Sequence, residues 1–217
     1  MSEKEVLKVF NAEYESIGTA TREQIHQQGL WHETFHCWFY ELKADDLIIY
    51  FQKRARTKKD FPGMLDITAA GHLLAAEQVA DGFREVEEEL GIKIMPEQAE
   101  SLGVFIVEIA LDGFIDNEFT NVFLVRQELA ARTFLLQEEE VEGLFPITLT
   151  SFKQLFKNEV SQLSVEGLCQ QDGQQFSVVQ TVRMSDFCAN ARSYYEQLLA
   201  AFEKILENHS KTLDYWK

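Results

Sequence analysis

The sequence predicts an α/β (α+β) fold, in which short strands surround one central helix and a helical segment follows. Two observations indicate this fold. In residues 1–150, short apolar segments with strand-like alternation lie between polar turns, and one segment repeats its apolar residues at helical spacing. After Pro146, the pattern becomes that of a long helix. We therefore expect one domain over residues 1–150 and a mostly helical extension over residues 151–217.

The predicted strands all fall into the first domain. Six segments have strand character: 6–10, 34–42, 47–54, 65–69, 102–110 and 117–126. The second and third segments are separated by the polar residues 43–46, which predicts a hairpin. The last two flank the Asp112-Gly113 pair, and a Gly after an Asp is typical of a tight hairpin turn. We therefore expect two hairpins in this domain.

Two segments have the apolar periodicity of helices. In residues 79–90 the apolar stripe consists of Val79, Phe83, Val86 and Leu90, and Gly91 follows as a C-terminal cap. Further along the chain, Ser185 is predicted to cap a long helix. Its apolar positions recur at spacings of three and four: Phe187, Ala191, Tyr194, Leu198, Phe202 and Ile205. We expect this helix to pack on the first domain or on a second subunit, as in a homodimer.

Composition excludes several classes of partner. The chain has 217 residues, with 20 Lys+Arg and 36 Asp+Glu, so its net charge is −16. A surface with this much negative charge repels anionic lipids and the phosphate backbone of nucleic acids. We therefore expect neither nucleic acid polymers nor membranes as partners. The N-terminus lacks the apolar core of a signal peptide, and the three cysteines are too few for a disulfide framework. We therefore expect a cytoplasmic protein with free thiols.

The predicted helix at residues 79–90 has an acidic face. Glu85, Glu88 and Glu89 lie at spacings of three and four, so they share one side of the helix. Like charges at these spacings destabilise a helix, and a divalent cation would convert the repulsion into coordination. Oxygen-only ligands favour Mg²⁺ or Mn²⁺ over Zn²⁺. From these residues alone, the alternative is a solvated acidic face.

Residues 53–59 hold five of the twenty basic residues within seven positions. In so acidic a chain, this segment is the one suited to a phosphate-bearing small molecule. The alternative is a mobile, soluble loop. A basic patch that faces a carboxylate metal site is what diphosphate chemistry requires, because the cation polarises phosphoryl oxygens while Arg and Lys neutralise the remaining charge.

Residues 71–92, GHLLAAEQVADGFREVEEELGI, resemble the Nudix box. That motif has a Gly, five residues, a Glu, seven residues and then R-E-apolar-x-E-E-x-G-apolar. Gly71 and Glu77 have the first spacing, and residues 84–92 match the second half at every position. The sequence departs from the motif in one respect, because six residues and not seven separate Glu77 from Arg84. This departure puts the role of Glu77 in question.

The resemblance implies an α/β/α sandwich around a mixed sheet, and a hydrolase that attacks a diphosphate linkage with water. It assigns Glu85, Glu88 and Glu89 as ligands of Mg²⁺ or Mn²⁺, with one of them able to act as the general base. Arg84 becomes an orienting ion-pair partner within this catalytic group. The further motif positions are Gly71, Glu77 and Gly91.

Residues 13–150 also resemble the branch of this superfamily that contains type I isopentenyl-diphosphate isomerase. The stretches TREQIHQQGLWH at 21–32 and KRARTKKDFPGMLDITAAGH at 53–72 carry this resemblance. That isomerase holds a metal with three histidines and two acidic residues. The matching positions in this chain are His26, His32, His72, Asp116 and Glu118. Arg54 and Lys58 match positions that bind the substrate diphosphate.

Two departures favour the hydrolase over the isomerase. The isomerase needs a thiol just before the Gly-His pair, and Ala70, whose methyl group cannot transfer a proton, stands there. Cys37 lies in a different predicted strand, where a cysteine is usually a small apolar residue. Conversely, the isomerase tends to lose the glutamates that this helix retains. His36 and His209 match no site position, and we expect them to be structural or exposed.

We therefore predict a Mg²⁺- or Mn²⁺-dependent Nudix hydrolase that cleaves a diphosphate linkage in a nucleotide-like or other small molecule. Two alternatives stay open. One is an isopentenyl-diphosphate isomerase that uses another acid–base pair, such as Glu118 with an unrecognised donor. The other is a non-catalytic sensor that binds metal and diphosphate. A second acidic segment, residues 138–142, either borders the site or is solvated.

Overall fold

The computed structural model describes residues 4–43, 45–111, 114–127, 134–190 and 192–214. These residues form the following strands: β1 Val6–Phe10, β2 Ser16–Thr21, β3 Trp31–Leu42, β4 Leu47–Arg54, β5 Leu65–Asp66, β6 Ala69–His72, β7 Ala99–Leu111, β8 Phe114–Arg126, β9 Val141–Thr148, β10 Leu163–Gln171 and β11 Gln174–Val182. They also form four α-helices: α1 Arg22–Gln28, α2 Arg84–Leu90, α3 Leu149–Phe156 and α4 Arg192–Asp214.

The strands belong to one mixed sheet with β3 at its centre. The main order across the sheet is β11-β10-β9-β4-β3-β1-β2. The central strand β3 pairs antiparallel with β4 and β6, and parallel with β8 over residues 31–40. The long strands β7 and β8 pair antiparallel with each other. Parallel and antiparallel pairs in one sheet, together with the helices, confirm the predicted α/β (α+β) class.

The two faces of the sheet are covered by different helices, as the alternation of side chains along β3 dictates. On one face the buried residues include Phe35, Phe39, Phe83, Val86 and Leu90. On the other face they include Trp38, Phe51, Phe152, Tyr194 and Phe202. Each such side chain contributes about 1.5–3 kcal/mol when fully buried. The sheet therefore lies between α2 on one side and α3 with α4 on the other, which is the predicted sandwich.

Most strands of the first domain lie where the sequence predicts them. The segments 6–10 and 47–54 have the predicted bounds, and β3 begins earlier than expected, at Trp31. The predicted strand at 65–69 is instead divided between β5 and β6. The reason is that β5 pairs with β4 whereas β6 pairs with β3, so the chain changes partner between them. The predicted Asp112-Gly113 turn lies outside the described residues.

The helices near the site differ from the prediction in detail. Sequence analysis misses α1, whose seven residues are too few to show a periodic stripe. The Thr21 side chain caps its first turn, and Gly29 ends it in the left-handed conformation with φ 63°. The predicted helix at 79–90 consists of a 3₁₀ turn, Val79–Phe83, followed by α2. Gly91, with φ 67°, ends α2 as predicted.

The C-terminal segment differs from the prediction in two respects. Ser185 does not cap a long helix, because it lies in the 3₁₀ turn Met184–Asp186 and α4 begins later. Phe187 forms a parallel β-bridge with Leu65, which holds the chain extended after that turn. In addition, β10 and β11 form an antiparallel pair that sequence analysis misses, and β10 joins β9. The sheet thus continues past residue 150. The domain boundary that the sequence predicts at this residue stays a prediction.

The helix α4 packs against the sheet of its own chain. Tyr194 is fully buried, and its hydroxyl oxygen accepts a hydrogen bond from Trp38 Nε1 at 2.8 Å. The same oxygen lies 2.9 Å from Nδ1 of His36, which is also buried. These contacts fix α4 beneath the strand that carries His32. Across the described segments, none of the helices is both long enough and apolar enough to cross a membrane.

Candidate active site

The predicted metal ligands of α2, Glu85, Glu88 and Glu89, form what we call the glutamate cluster. Glu85 and Glu89 have only 3% and 4% of their surface exposed, whereas the Glu88 side chain is 52% exposed. Gly71 of β6 makes room for Glu85, because a Cβ at this position would lie 2.1 Å from Glu85 Oε1. A larger residue would displace the carboxylate. The Gly at the start of the motif is thus a packing requirement of the cluster.

Arg84 joins the glutamate cluster to Glu77. Its Nε donates to Glu77 Oε1 at 2.6 Å and its Nη2 donates to Oε2 at 3.1 Å. Its Nη1 donates to Glu85 Oε1 at 2.7 Å and to Glu88 Oε2 at 3.2 Å. The Leu74 N–H donates to Glu77 Oε2 at 2.7 Å. The structure therefore brings Glu77 to Arg84 in spite of the one-residue-short spacing.

Burial disfavours the charged form of both buried glutamates. It raises the pKa of Glu85 to about 7, and the adjacent Arg84 guanidinium opposes that rise. Burial also holds the pKa of Glu89 well above its usual range, and the nearby charge of Glu85 adds to this effect. Neighbouring buried carboxylates are costly to ionise unless a positive charge lies beside them. A divalent cation supplies such a charge, and these oxygen ligands suit Mg²⁺ or Mn²⁺.

The five residues that match the isomerase metal ligands also converge, and we call them the histidine cluster. They are His26 on α1, His32 on β3, His72 on β6, and Asp116 and Glu118 on β8. The parallel pairing of β3 with β8 sets His32 opposite Glu118. His32 Nε2 lies 3.5 Å from Asp116 Oδ1 and 4.0 Å from Glu118 Oε1. Ligand atoms of the three histidines lie within 4.8 Å of one another.

The histidine cluster has buried polar atoms without a hydrogen bond inside the described part of the chain. These atoms are His32 Nε2, both ring nitrogens of His72, and Asp116 Oδ1. His32 Nδ1 lies 3.1 Å from the Leu30 carbonyl oxygen, so Nδ1 carries the hydrogen and Nε2 keeps its lone pair. Burial lowers the pKa of His32 and of His72, which keeps both rings neutral near pH 7. Neutral imidazoles and carboxylates are metal ligands, so this set fits a divalent cation.

Arg54 and Lys58, the predicted diphosphate-binding residues, both pair with carboxylates. Arg54 Nη1 lies 2.8 Å from Asp66 Oδ2, and Arg54 borders the cavity that contains the histidine cluster. Lys58 forms an ion pair with Glu140. Glu140 itself borders the cavity beside the glutamate cluster, so the acidic segment 138–142 reaches the site. A substrate anion that binds Arg54 or Lys58 must therefore compete with the carboxylate that is already paired with that side chain.

The strand β6 joins the two clusters. The Ala70 N–H donates to Glu89 Oε2 at 3.2 Å, on the side of the glutamate cluster. Two residues later, the His72 ring belongs to the histidine cluster, while its carbonyl oxygen accepts a hydrogen bond from Arg84 Nη2 at 3.2 Å. His72 also borders both cavities. The two clusters are therefore neighbours across one short strand.

Sequence analysis missed three parts of this site. Arg22 borders the cavity of the histidine cluster, with its Nη2 3.6 Å from Asp60 Oδ2. Gln52 contacts the glutamate cluster from β4. Residues 188–190 border the histidine-cluster cavity from the C-terminal extension. The stretch that contains His26 already included Arg22 as a basic residue, but no local pattern marks the other two, which reach the site through long-range pairing.

A glutamate cluster on a helix, held by an arginine and packed on a mixed sheet, is the arrangement that the resemblance to the Nudix box implies for a pyrophosphohydrolase. No protein-family model matches the chain. A Nudix hydrolase of Clostridium acetobutylicum is 32% identical over 200 residues, which make up 92% of this chain and 97% of that protein. The chain therefore belongs to the Nudix hydrolase family.

Two further comparisons bear on the branch and the fold. An isopentenyl-diphosphate Delta-isomerase of Aliivibrio fischeri is 29% identical over 142 residues, which are 64% of this chain and 78% of that protein. The crystal structure of a MutT/nudix family protein from Enterococcus faecalis has a TM-score of 0.50 at 15% identity, and it covers 81% of this chain and 62% of that one. The first agrees with the resemblance to the isomerase branch, and the second supports the fold alone.

Proposed function

We propose that this enzyme hydrolyses a diphosphate linkage in a small molecule, with Mg²⁺ or Mn²⁺ held by Glu85, Glu88 and Glu89. The observation that carries the proposal is that Arg84 binds both Glu85 and Glu88, while Glu85 and Glu89 are almost fully buried. Burying carboxylates side by side is unfavourable without a balancing cation. Because all three ligands are oxygen atoms, Mg²⁺ or Mn²⁺ fits better than Zn²⁺.

In this proposal the chain itself orients the reacting groups. Arg84 holds Glu85 and Glu88 in place and is in turn held by Glu77. A cation held there would supply Lewis-acid polarisation of the phosphoryl oxygens and would lower the pKa of the attacking water. One of the three glutamates removes the proton from the attacking water. The exposed Glu88 carboxylate keeps this cluster open to substrate and solvent.

The histidine cluster is proposed to hold a second divalent cation. The support is its set of buried ligand atoms that have no hydrogen bond among the described residues, which include the neutral ring nitrogen His32 Nε2 and the carboxylate oxygen Asp116 Oδ1. Arg54 and Lys58 are proposed to bind the substrate diphosphate. Arg54 borders the cavity of the histidine cluster, and Lys58 is paired with Glu140, which borders the cavity beside the glutamate cluster. Arg22 is proposed to bind the diphosphate as well, because it borders the cavity of the histidine cluster.

The remaining parts of the proposal concern partners and location. A small-molecule substrate, and no nucleic acid polymer or membrane, is supported by the net charge of −16. A cytoplasmic location is supported by three cysteines that are unpaired and buried. A homodimer is a further proposal, for which the long helix α4 offers an exposed side.

A substrate panel with matched variants tests the proposal. Nucleoside diphosphate sugars, dinucleoside polyphosphates, coenzymes and prenyl diphosphates are incubated with Mg²⁺, and the products are separated. Glu88→Gln should lose roughly 10²–10⁴-fold in rate while its circular dichroism spectrum is unchanged. Glu87→Gln, an exposed neighbour on the same helix, is the control and should keep wild-type activity. Equal rates in all three proteins contradict the proposed metal site.

A second candidate function, isomerisation of isopentenyl diphosphate, is favoured by one observation. Cys188 borders the same cavity as Ala70 and Glu118, although Ala70 itself lacks the thiol that the isomerase needs. Cys37 cannot supply that thiol, because it is buried on the opposite face of the sheet with Val86. Burial and the adjacent Asp66 carboxylate raise the pKa of Cys188, so the thiol stays protonated and is a weak proton donor.

Proton NMR on isopentenyl diphosphate in D₂O tests this second function. An isomerase must show double-bond migration with deuterium uptake, and Cys188→Ala must abolish it. Absence of migration in the wild-type protein removes this candidate and leaves hydrolysis as the only proposed function.

A further inference from the structure

Gln52 of β4 is a polar side chain placed in the core beside the glutamate cluster. Only 1% of its surface is exposed. Its backbone lies between Asp66 of β5 and Leu144 of β9, which pair with it on either side. Its Nε2 donates to Glu89 Oε2 at 3.3 Å. A buried glutamine in a central strand is uncommon, and such groups are normally retained with full hydrogen bonding.

The Glu89 carboxylate receives two hydrogen bonds on one oxygen. Besides Gln52 Nε2, the Ala70 N–H donates to the same Oε2 at 3.2 Å. One donor comes from a side chain of β4 and the other from the backbone of β6, so they fix the rotation of the carboxylate. The other oxygen, Oε1, receives neither of these two hydrogen bonds. Carboxylate torsions of glutamate are broad and would otherwise leave the rotation of the carboxylate undefined.

The amide oxygen of Gln52 is the second part of the observation. Within the residues that the structure describes, Gln52 Oε1 is buried and accepts no hydrogen bond. Its amide group thus directs one atom to Glu89, while the other has no partner among these residues. Buried unsatisfied oxygens of this kind are rare in folded proteins and mark places where a water or ion binds.

We propose that Gln52 is a positioning residue for the cation of the glutamate cluster. Its Nε2 would hold the Glu89 carboxylate in the orientation that a bound cation requires, and its own buried Oε1 would accept a hydrogen bond from water at that site. This inference rests on the proposed function, since it requires a cation at Glu85, Glu88 and Glu89. Residues that orient metal ligands in this way typically change metal affinity or activity by roughly 10–100-fold when they are replaced.

The test is Mn²⁺ binding, measured from the electron paramagnetic resonance signal of free Mn²⁺ during titration. Gln52→Met keeps the length of the side chain and removes both polar atoms. Gln170→Met is the matched control, because Gln170 is also a buried strand glutamine, but the hydrogen bonds described for its amide go to the Leu136 backbone and to Glu138, and not to Glu85, Glu88 or Glu89. Glu85→Gln identifies which binding event belongs to the glutamate cluster.

We expect Gln52→Met to weaken the Mn²⁺ binding that Glu85→Gln removes, by roughly 10–100-fold. It should lower kcat by a similar factor and change KM little, with a melting temperature of the metal-free protein no lower than that of the wild type. Gln170→Met should leave Mn²⁺ affinity unchanged and lower the melting temperature. Gln52→Asn, which keeps the amide but is one methylene shorter, should weaken Mn²⁺ binding as well.

Wild-type Mn²⁺ affinity in both Gln52 variants overturns the positioning role while leaving the proposed function intact. If the wild-type protein shows no binding event that Glu85→Gln removes, the proposed metal site and the role of Gln52 fail together. If Mn²⁺ binds and Gln52→Met weakens it, but no diphosphate is cleaved, only the proposed hydrolysis fails.

Discussion

Arg84 and Glu77 form a bidentate ion pair, with Nε to Oε1 at 2.6 Å and Nη2 to Oε2 at 3.1 Å. The pair forms although one residue fewer separates them than in the Nudix motif. The intervening residues include the 3₁₀ turn Val79–Phe83, which delivers Arg84 to the N-terminus of α2. The departure in spacing therefore does not prevent Glu77 from binding Arg84, which in turn binds the glutamate cluster.

Loss of this ion pair should destabilise the protein. In Glu77→Ala, Arg84 keeps its charge in a partly buried setting, loses its ion pair with Glu77 and keeps its hydrogen bonds to Glu85 and Glu88, so the loss is comparable to one hydrogen bond to a charged group, about 1.5–3 kcal/mol. We expect the free energy of unfolding in urea to fall by about 2 kcal/mol. Glu196→Ala, which breaks the exposed pair with Arg192, should change it by less than about 0.5 kcal/mol. Equal falls in the free energy of unfolding of the two variants would show that the Arg84–Glu77 pair contributes no more than an exposed ion pair.

Gly71→Ala should lower activity more than stability. The added methyl group would lie 2.1 Å from Glu85 Oε1, so the flexible carboxylate must move away from its place in the cluster. A displacement of about 1 Å at a catalytic group can cost roughly 10²-fold in rate. The rate of diphosphate cleavage and the urea unfolding curve check this expectation together. Wild-type activity in Gly71→Ala would mean that the position of Glu85 is not required.

His36 should make stability depend on acid pH. Burial lowers its pKa to about 4 in the folded protein, against an ordinary value of about 6.5. Between these values the unfolded chain binds more protons than the folded one, so stability is full above pH 6.5 and falls as the pH drops towards 4. The difference corresponds to about 3 kcal/mol.

His36→Gln isolates this contribution, because Gln can still bond to the Tyr194 hydroxyl but does not titrate in this range. The free energy of unfolding, measured in urea from pH 7 to pH 4, should fall less steeply in His36→Gln than in the wild type. Parallel curves for the two proteins would show that His36 is not held neutral by the fold.

Divalent cations should stabilise the folded protein through the histidine cluster. A cation at 100 times its dissociation constant adds about 2.7 kcal/mol of stability, because it binds only the folded state. Mn²⁺ should therefore raise the melting temperature, and EDTA should reverse the effect. In His32→Ala the rise should be smaller. His209→Ala, at a histidine outside the cluster, is the control, and an equal rise in both variants would exclude the cluster as a binding site.

The local sequence predicts those parts of the molecule that depend on nearby residues. The strand at 47–54 and the end of α2 at Gly91 follow from alternation and from a capping Gly, and both lie where they are predicted. Helical spacing alone places Glu85, Glu88 and Glu89 on one face, whereas their assignment as metal ligands came from the family resemblance. His72 was predicted as a metal ligand only from the family resemblance, because the other residues of the histidine cluster lie on other strands and on α1.

The parts that could not be predicted depend on pairing between distant segments. Ser185 has the composition of a helix cap, but the bridge between Phe187 and Leu65 holds the following residues extended. Gln52 gives no local signal, because its role follows from the approach of α2 to β4. Residues 188–190 border the cavity because the Cys188 N–H donates to the Leu65 carbonyl oxygen at 2.8 Å.

Hydrolysis in ¹⁸O-labelled water tests the central claim most directly. The substrate found in the panel is cleaved with Mg²⁺ by the wild type, Glu85→Gln and the control Glu87→Gln, and ³¹P NMR follows the label in the product phosphates. The proposal predicts label on one phosphorus at equal rates for the wild type and Glu87→Gln, and a rate roughly 10²–10⁴-fold lower for Glu85→Gln. Unlabelled products, or an undiminished rate in Glu85→Gln, would contradict it.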